Sequence, residues 1–149
     1  MIKEKLIGNK YEELVNAAKK ASRKAYTPYS HFQVGAALLD INNKIWTGCN
    51  IESASYTPTN CAERTAIFKA VSEGIKEFKA IAIVGRDESH EELTVSVTAP
   101  CGVCRQVLAE FCGSDFEIVL ANNGDEIEIW TMDEILPLSF TKSNLDDAR

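Results

Sequence analysis

Apolar residues recur along this chain with two periods, and the alternation between them predicts most of its architecture. From Lys10 to Ala25, Leu14, Val15, Ala17, Ala18 and Ala21 fall on about one side of a helical repeat, with Lys, Glu and Asn opposite; the pattern predicts an amphipathic helix. Tyr26-Thr27-Pro28-Tyr29-Ser30 ends it, because proline has no amide hydrogen and restricts the residue before it. Phe32 to Leu39 and Ile45 to Cys49 read as two strands of a hairpin, joined by Asp40-Ile41-Asn42-Asn43-Lys44, whose asparagines tolerate the positive φ of a tight reversal.

Residues 50–60 are polar and turn-rich, and a helical pattern resumes at Cys61 through Ala66, Ile67, Ala70 and Val71 until Gly74 stops it. Phe78 to Val84 and Phe116 to Ala121 are compact Ile- and Val-rich runs that suit buried strands. Between them, residues 86–96 read as a polar loop, and a helix follows with Pro100 in its first turn, Val107, Leu108 and Phe111 on its apolar side, and Gly113 at its end. Asn122-Asn123-Gly124-Asp125 marks a turn, Glu126 to Trp130 alternates like an exposed strand, and Thr131 with Glu134 resembles a capping box opening a short last helix. The tail from Ser139 is polar and predicts a place on the surface or on a partner. The order of elements predicts an α/β fold in three layers, a mixed sheet of about five strands with helices on both faces.

Size and composition fit this picture and narrow the function. At 149 residues the chain suits one domain, 1–149, with a core that needs no disulfide staples. The net charge of −6 and the absence of a long basic run argue against a nucleic-acid partner. No stretch is long enough to span a bilayer, and the N-terminus lacks the apolar core of a secretory signal; no membrane partner and a cytoplasmic location are therefore expected. Five cysteines, two of them as Cys101-Gly102-Val103-Cys104, favour metal or catalysis over disulfides in a reducing compartment.

The candidate chemistry sits at two helix starts. Cys61-Ala62-Glu63 opens one predicted helix and Pro100-Cys101-Gly102-Val103-Cys104 the next, so three thiolates can converge on one zinc ion. A catalytic zinc keeps three protein ligands and leaves its fourth position for water, which three cysteines with no obvious fourth partner match. Helix starts also lower thiol pKa through their free amides and dipole. Three thiolates overcompensate a divalent ion, so a cation is expected nearby; Arg64 is the first candidate and Arg105 the second. Glu63, two residues from a ligand, suits a proton shuttle.

Plainer explanations stand beside these. Asn60-Cys61-Ala62-Glu63 also has capping-box spacing, in which Glu63 only closes a helix end. A Cys-x-x-Cys alone serves redox chemistry, structural zinc or neither. Cys49 and Cys112 read as small apolar filler, His31 and His90 as surface residues outside the metal site, and Phe32 could be core filler at a strand start.

Cys-Ala-Glu followed by Pro-Cys-x-x-Cys is the three-cysteine form of the zinc deaminase signature. Over nearly its whole length the chain resembles the small homotetrameric cytidine deaminases, in Tyr26 to Ala37, Gly48-Cys49-Asn50-Ile51-Glu52, Asn60 to Ala66 and Pro100 to Gln106. The resemblance implies one zinc per subunit on Cys61, Cys101 and Cys104, with Glu63 as the proton shuttle. It implies that Asn50 and Glu52 grip the ribose hydroxyls, that Phe32 lies beside the base, and that Ala62 belongs to the substrate site. It further implies that Arg64 and Gln106 support the ligand sulfurs and their helix ends, and that Tyr56 and Phe140 complete a neighbouring subunit's pocket in a homotetramer. The Leu138-Ser139-Phe140 spelling departs from the family's commonest one. The activity implied is deamination of cytidine and 2′-deoxycytidine in pyrimidine salvage. A blasticidin-S-type deaminase and a non-catalytic zinc module are the alternatives. A pocket that bonds hydroxyls favours a nucleoside over a free base, because a ligand lacking them leaves buried polar groups unpaired.

Overall fold

The computed structural model of the protein describes residues 1–148, leaving Arg149 of the expected 1–149 domain outside the described residues. One six-stranded mixed sheet runs in the order β1-β6-β5-β4-β2-β3. Its strands are β1 (Ile2–Lys5), β2 (Phe32–Asp40), β3 (Ile45–Cys49), β4 (Phe78–Asp87), β5 (Glu117–Ala121) and β6 (Glu126–Thr131). Only β4 and β5 pair in parallel, linked by a crossover through helix α3 (Gly102–Phe111). Helix α1 (Glu12–Ser22) packs on one face of the sheet through Leu14, Val15 and Ala18. Helices α2 (Ala62–Ser72) and α3 cover the other through Ala62, Ala66, Ile67, Ala70 and Leu108. The three layers expected from the sequence are present.

The hairpin between β2 and β3 turns where Asn43 takes φ +65°, stabilised from within by a buried carboxylate. Asp40 accepts from Trp46 Nε1 at 2.9 Å and from the amides of Asn42 and Lys44 at 2.8 and 3.0 Å. Burial opposes its charge, but these donors outweigh burial and hold the carboxyl below its ordinary range. Gly74, at φ +88°, receives the end of α2, and the Thr131–Glu134 capping box opens α4 (Met132–Ile135).

The structure departs from the sequence expectation in four places. The sheet has six strands, because Ile2–Lys5 adds β1 antiparallel to β6, and the N-terminal ammonium pairs with Glu134. A four-residue run with three charged residues of alternating sign carries little periodic signal, so its pairing partner decides its conformation. In consequence β6 is not an exposed edge but lies between β1 and β5, with Ile127 and Ile129 buried. The segment 86–96 is not wholly outside the core: β4 runs on to Asp87, Arg86 is buried, and Leu93 joins the α1 face. The polar tail folds into a short helix, α5 (Lys142–Asp146), capped by Thr141 and Asn144.

Gly35 under α1 and Gly48 under α2 let the helices approach the sheet closely. A Cβ on Gly48 would come within 3.0 Å of the Ala62 carbonyl oxygen and the Ala66 amide nitrogen, so α2 rests directly on β3. Gly48→Ala is therefore expected to push back the helix start that carries Cys61 and Glu63. Overpacking of this kind costs about 1–3 kcal/mol, a fall in Tm of several degrees by scanning calorimetry. Zinc retention should weaken in the same variant.

Candidate metal centre and active site

Cys61 and Cys101 are the N-cap residues of α2 and α3, both in extended conformation, and Cys104 lies one turn into α3. These two helix starts face each other behind the sheet and bring three sulfurs together. Cys61 Sγ is 3.8 Å from Cys101 Sγ, which is 3.6 Å from Cys104 Sγ, and all three lie within 4.8 Å of one another. A zinc ion with Zn–S bonds near 2.3 Å and tetrahedral angles requires sulfurs about 3.8 Å apart. The cluster fits one zinc per chain. Among the described residues it is the only group of three or more His, Cys, Asp or Glu side chains so arranged.

Neither cap cysteine spends its sulfur on capping a backbone amide of its own helix, so both sulfurs are left for the cluster. The same geometry bears on the capping-box explanation of Glu63. The N-cap is Cys61, not Asn60, and the Asn60 amide turns aside to donate to Thr65 Oγ1 at 3.1 Å. Glu63 is only 4% exposed and stands 3.7 Å from Cys104 Sγ. Burial pushes its carboxyl up to about 7, a value suited to a group that must both take and give a proton near neutral pH.

Arg64 Nη2 donates to Cys61 Sγ at 3.4 Å, which places the expected compensating cation on the sulfur cluster. The bond from Cys104 and that from Arg64 favour the Cys61 thiolate and bring its pKa down to about 5 in the metal-free cluster. Cys104 moves the opposite way, because it donates to Cys61 and is buried beside Glu63. The second candidate, Arg105, serves another purpose. Its Nε donates to the Pro100 carbonyl at 2.8 Å and its Nη1 to that of Ile135 at 2.7 Å, tying the α3 entry to α4. We expect Arg64→Gln, which keeps a donor and removes the charge, to weaken zinc affinity roughly 10-fold or more. It should also move the rising limb of the pH–activity profile to higher pH, since a lost cation disfavours nearby deprotonation. Metal-buffered titration and a kcat/KM profile would read both effects.

Residues 8–120 match the family described as "Cytidine and deoxycytidylate deaminase zinc-binding region". The chain belongs to this deaminase family. A cytidine deaminase of Sporosarcina psychrophila is 48% identical over 92% of this chain and 96% of its own length. The crystal structure of cytidine deaminase from Burkholderia pseudomallei superposes with a TM-score of 0.80 at 44% identity, covering 89% of this chain and all of that one. A blasticidin-S deaminase of Bacillus cereus matches at 33% identity over 88% of this chain and 92% of its own length.

Of the other positions expected from the sequence, Glu52 and Tyr56 line one hollow. Glu52 Oε1 accepts the amides of Tyr29 and Ser30, each at 3.1 Å. Burial opposes the charge of Glu52, yet the Ser30 and Tyr29 donors prevail and hold the carboxylate below its usual range. Tyr29, Ser30, Glu52, Tyr56 and Thr59 line a hollow of about 390 Å³, and Thr59 leads directly to Asn60 and Cys61. The Phe32 ring lies against Gly85, where a Cβ would come within 3.0 Å of its edge, and Thr98 crowds the same spot. Phe32 is half-buried rather than deep in the core.

Asn50 has a use that its sequence position did not reveal. Its Oδ1 accepts from the Val34 amide at 2.8 Å and its Nδ2 donates to the Phe32 carbonyl at 2.9 Å, so the amide fixes the start of β2. Ala62, the first residue of α2, is fully buried. Gln106, expected to support the sulfurs and their helix ends, donates to the Phe140 carbonyl at 2.7 Å and so links α3 to the tail. Tyr56 is 77% exposed and Phe140 62% exposed. Tyr56 meets Tyr29 edge-on with ring centroids 6.3 Å apart. Cys112 is half-buried at the end of α3 and its thiol is pushed up to about 12 by burial; Cys49 is half-buried and also raised by burial. Both stand apart from the cluster, as does His90.

Proposed function

We propose that the protein hydrolyses cytidine and 2′-deoxycytidine to uridine, or deoxyuridine, and ammonia. The observation that carries this reading is a set of three sulfurs at zinc spacing with a buried carboxyl, raised to about 7, beside one of them. Bound on Cys61, Cys101 and Cys104, zinc would supply a Lewis acid that makes a water easy to deprotonate.

The chain's own groups do the rest. Glu63 Oε2 takes a proton from the water that attacks C4 of the base and delivers it to the ring nitrogen N3. It takes the second proton of that water and passes it to the amino group, which leaves as ammonia. Glu63 is withdrawn from solvent, as a group that keeps a proton between two transfers requires. Glu52, fixed by two backbone amides, and Asn50 would accept and donate to the ribose hydroxyls, while Phe32 would cover one face of the base. A carboxylate so placed favours a sugar hydroxyl and disfavours a 5′-phosphate on its own side of the cleft.

The exposed rings of Tyr56 and Phe140 support assembly into a homotetramer in which each chain completes a neighbour's pocket. Five free thiols support work in the reducing cytoplasm, as a single catalytic domain within pyrimidine salvage. No helix among the described residues is long and apolar enough to cross a membrane.

The decisive assay follows the cytosine absorbance band of each nucleoside with purified, zinc-loaded protein. Turnover of both is expected, and turnover of neither would remove the reading. A higher kcat/KM on blasticidin S than on cytidine would move it to the antibiotic.

A further inference from the structure

We propose that Glu88 is a positioning residue for the nucleoside cleft: its carboxylate clamps the turn Thr27–His31, which holds Glu52 and launches Phe32. The inference rests on the nucleoside reading of that cleft and adds to it a residue just past the end of β4.

The turn lies between two carboxylates. On one side Glu52 receives the amides of Tyr29 and Ser30. On the other, Glu88 Oε2 accepts from Thr27 Oγ1 at 3.1 Å, and Glu88 Oε1 lies 3.1 Å from His31 Nδ1. The backbone closes the same ring of contacts, since Glu88 N donates to the His31 carbonyl at 2.9 Å and His31 N to that of Thr27 at 3.0 Å. Thr27 is buried, so its hydroxyl has little recourse to water should Glu88 be lost.

His31 shows why a clamp is needed. It takes φ +56°, a left-handed conformation that costs a residue with a Cβ about 1–2 kcal/mol. Extended conformations are always open to it, and relaxing into one would swing the next residue, Phe32, and draw the Tyr29 and Ser30 amides away from Glu52. Glu88 and His31 are themselves exposed, and an exposed ion pair adds little to global stability. The contact therefore sets the local conformation of the cleft far more than it sets whether the chain folds. The metal ligands and Glu63 lie on α2 and α3, outside the clamped turn.

The test compares Glu88→Ala and Glu88→Gln with the wild type. Loss of the clamp lets His31 relax, and 1–2 kcal/mol corresponds to a rise of roughly 5–30-fold in KM for cytidine. The kcat should stay within about twofold, with zinc content and Tm unchanged, because chemistry and fold lie elsewhere. Glu88→Gln keeps an acceptor for Thr27 and should restore most of the wild-type KM. Thr27→Val, which removes the opposite anchor at equal volume, should raise KM as Glu88→Ala does, and serves if that variant folds poorly. A KM for Glu88→Ala within about twofold of wild type, or a kcat that falls as far as KM rises, would overturn the proposal. Amide hydrogen exchange at Tyr29 and Ser30 reads the clamp without turnover: protection should drop in Glu88→Ala. Wild-type protein that leaves cytidine unchanged would remove the functional reading, while unaltered protection at these two amides would remove the clamp.

Discussion

Glu63→Gln is expected to reduce kcat for cytidine by roughly 10³-fold or more while zinc stays bound, because proton transfer by a positioned group contributes about 10²–10⁴ and Glu63 serves more than one transfer. Glutamine has the same shape and can sit 3.7 Å from Cys104 Sγ, but it cannot take a proton. The metal-free protein should respond in the opposite sense. Folding raises the Glu63 carboxyl from 4.5 to about 7, so its contribution to stability is complete below about pH 4.5 and is lost as pH rises through 7. Above that pH the fold must hold an ionised, buried carboxylate at a cost of at most about 3 kcal/mol, which glutamine avoids. Denaturant melts of the chelated proteins at pH 8 should find Glu63→Gln more stable than the wild type. Equal activity of the two proteins, or loss of zinc from the variant, would make Glu63 a structural residue instead.

Cys101→Ala is expected to lose stoichiometric zinc and essentially all activity with little change in the secondary structure of the chain. Removing a group that only orients a metal ligand already costs about 10–100-fold in affinity, and removing a ligand should exceed that. Cys101 is the informative choice because it is exposed, whereas Cys104 is fully buried and its truncation would also open a hole in the core. Metal analysis after passage through a weak chelator, beside the cytidine assay, separates the two effects. Full zinc retention by Cys101→Ala would exclude Cys101 as a ligand.

Much of this was legible in the sequence because each feature was written locally. The α1 stripe, the Asp40–Lys44 reversal with its positive φ at Asn43 and the Thr131–Glu134 box all depend on neighbours a few residues away. The sulfur cluster was legible for a different reason: two short motifs at helix starts admit few ways to meet. What stayed hidden depends on pairing across the chain. Nothing in Ile2–Lys5 names β6 as its partner, and that one pairing converts β6 from an edge to an inner strand. Beyond the ribose contact that the resemblance implies, the Asn50 amide ties the Phe32–Val34 backbone, a contact visible only once β2 and the end of β3 lie side by side. Arg105 and Gln106 flank the cysteine motif in sequence, and their bonds to the Ile135 and Phe140 carbonyls become visible only once the chain folds back on α3. The role of Glu88 was likewise unreadable, since it lies in a polar stretch 57 residues from the histidine it faces.

The measurement that bears most directly on the whole account is zinc-edge X-ray absorption of the purified wild-type protein, taken with its metal content. Three sulfur scatterers near 2.3 Å and one oxygen or nitrogen scatterer, at one zinc per chain, are the predicted result. Four sulfurs around the ion, or a chain that retains no metal, would contradict it.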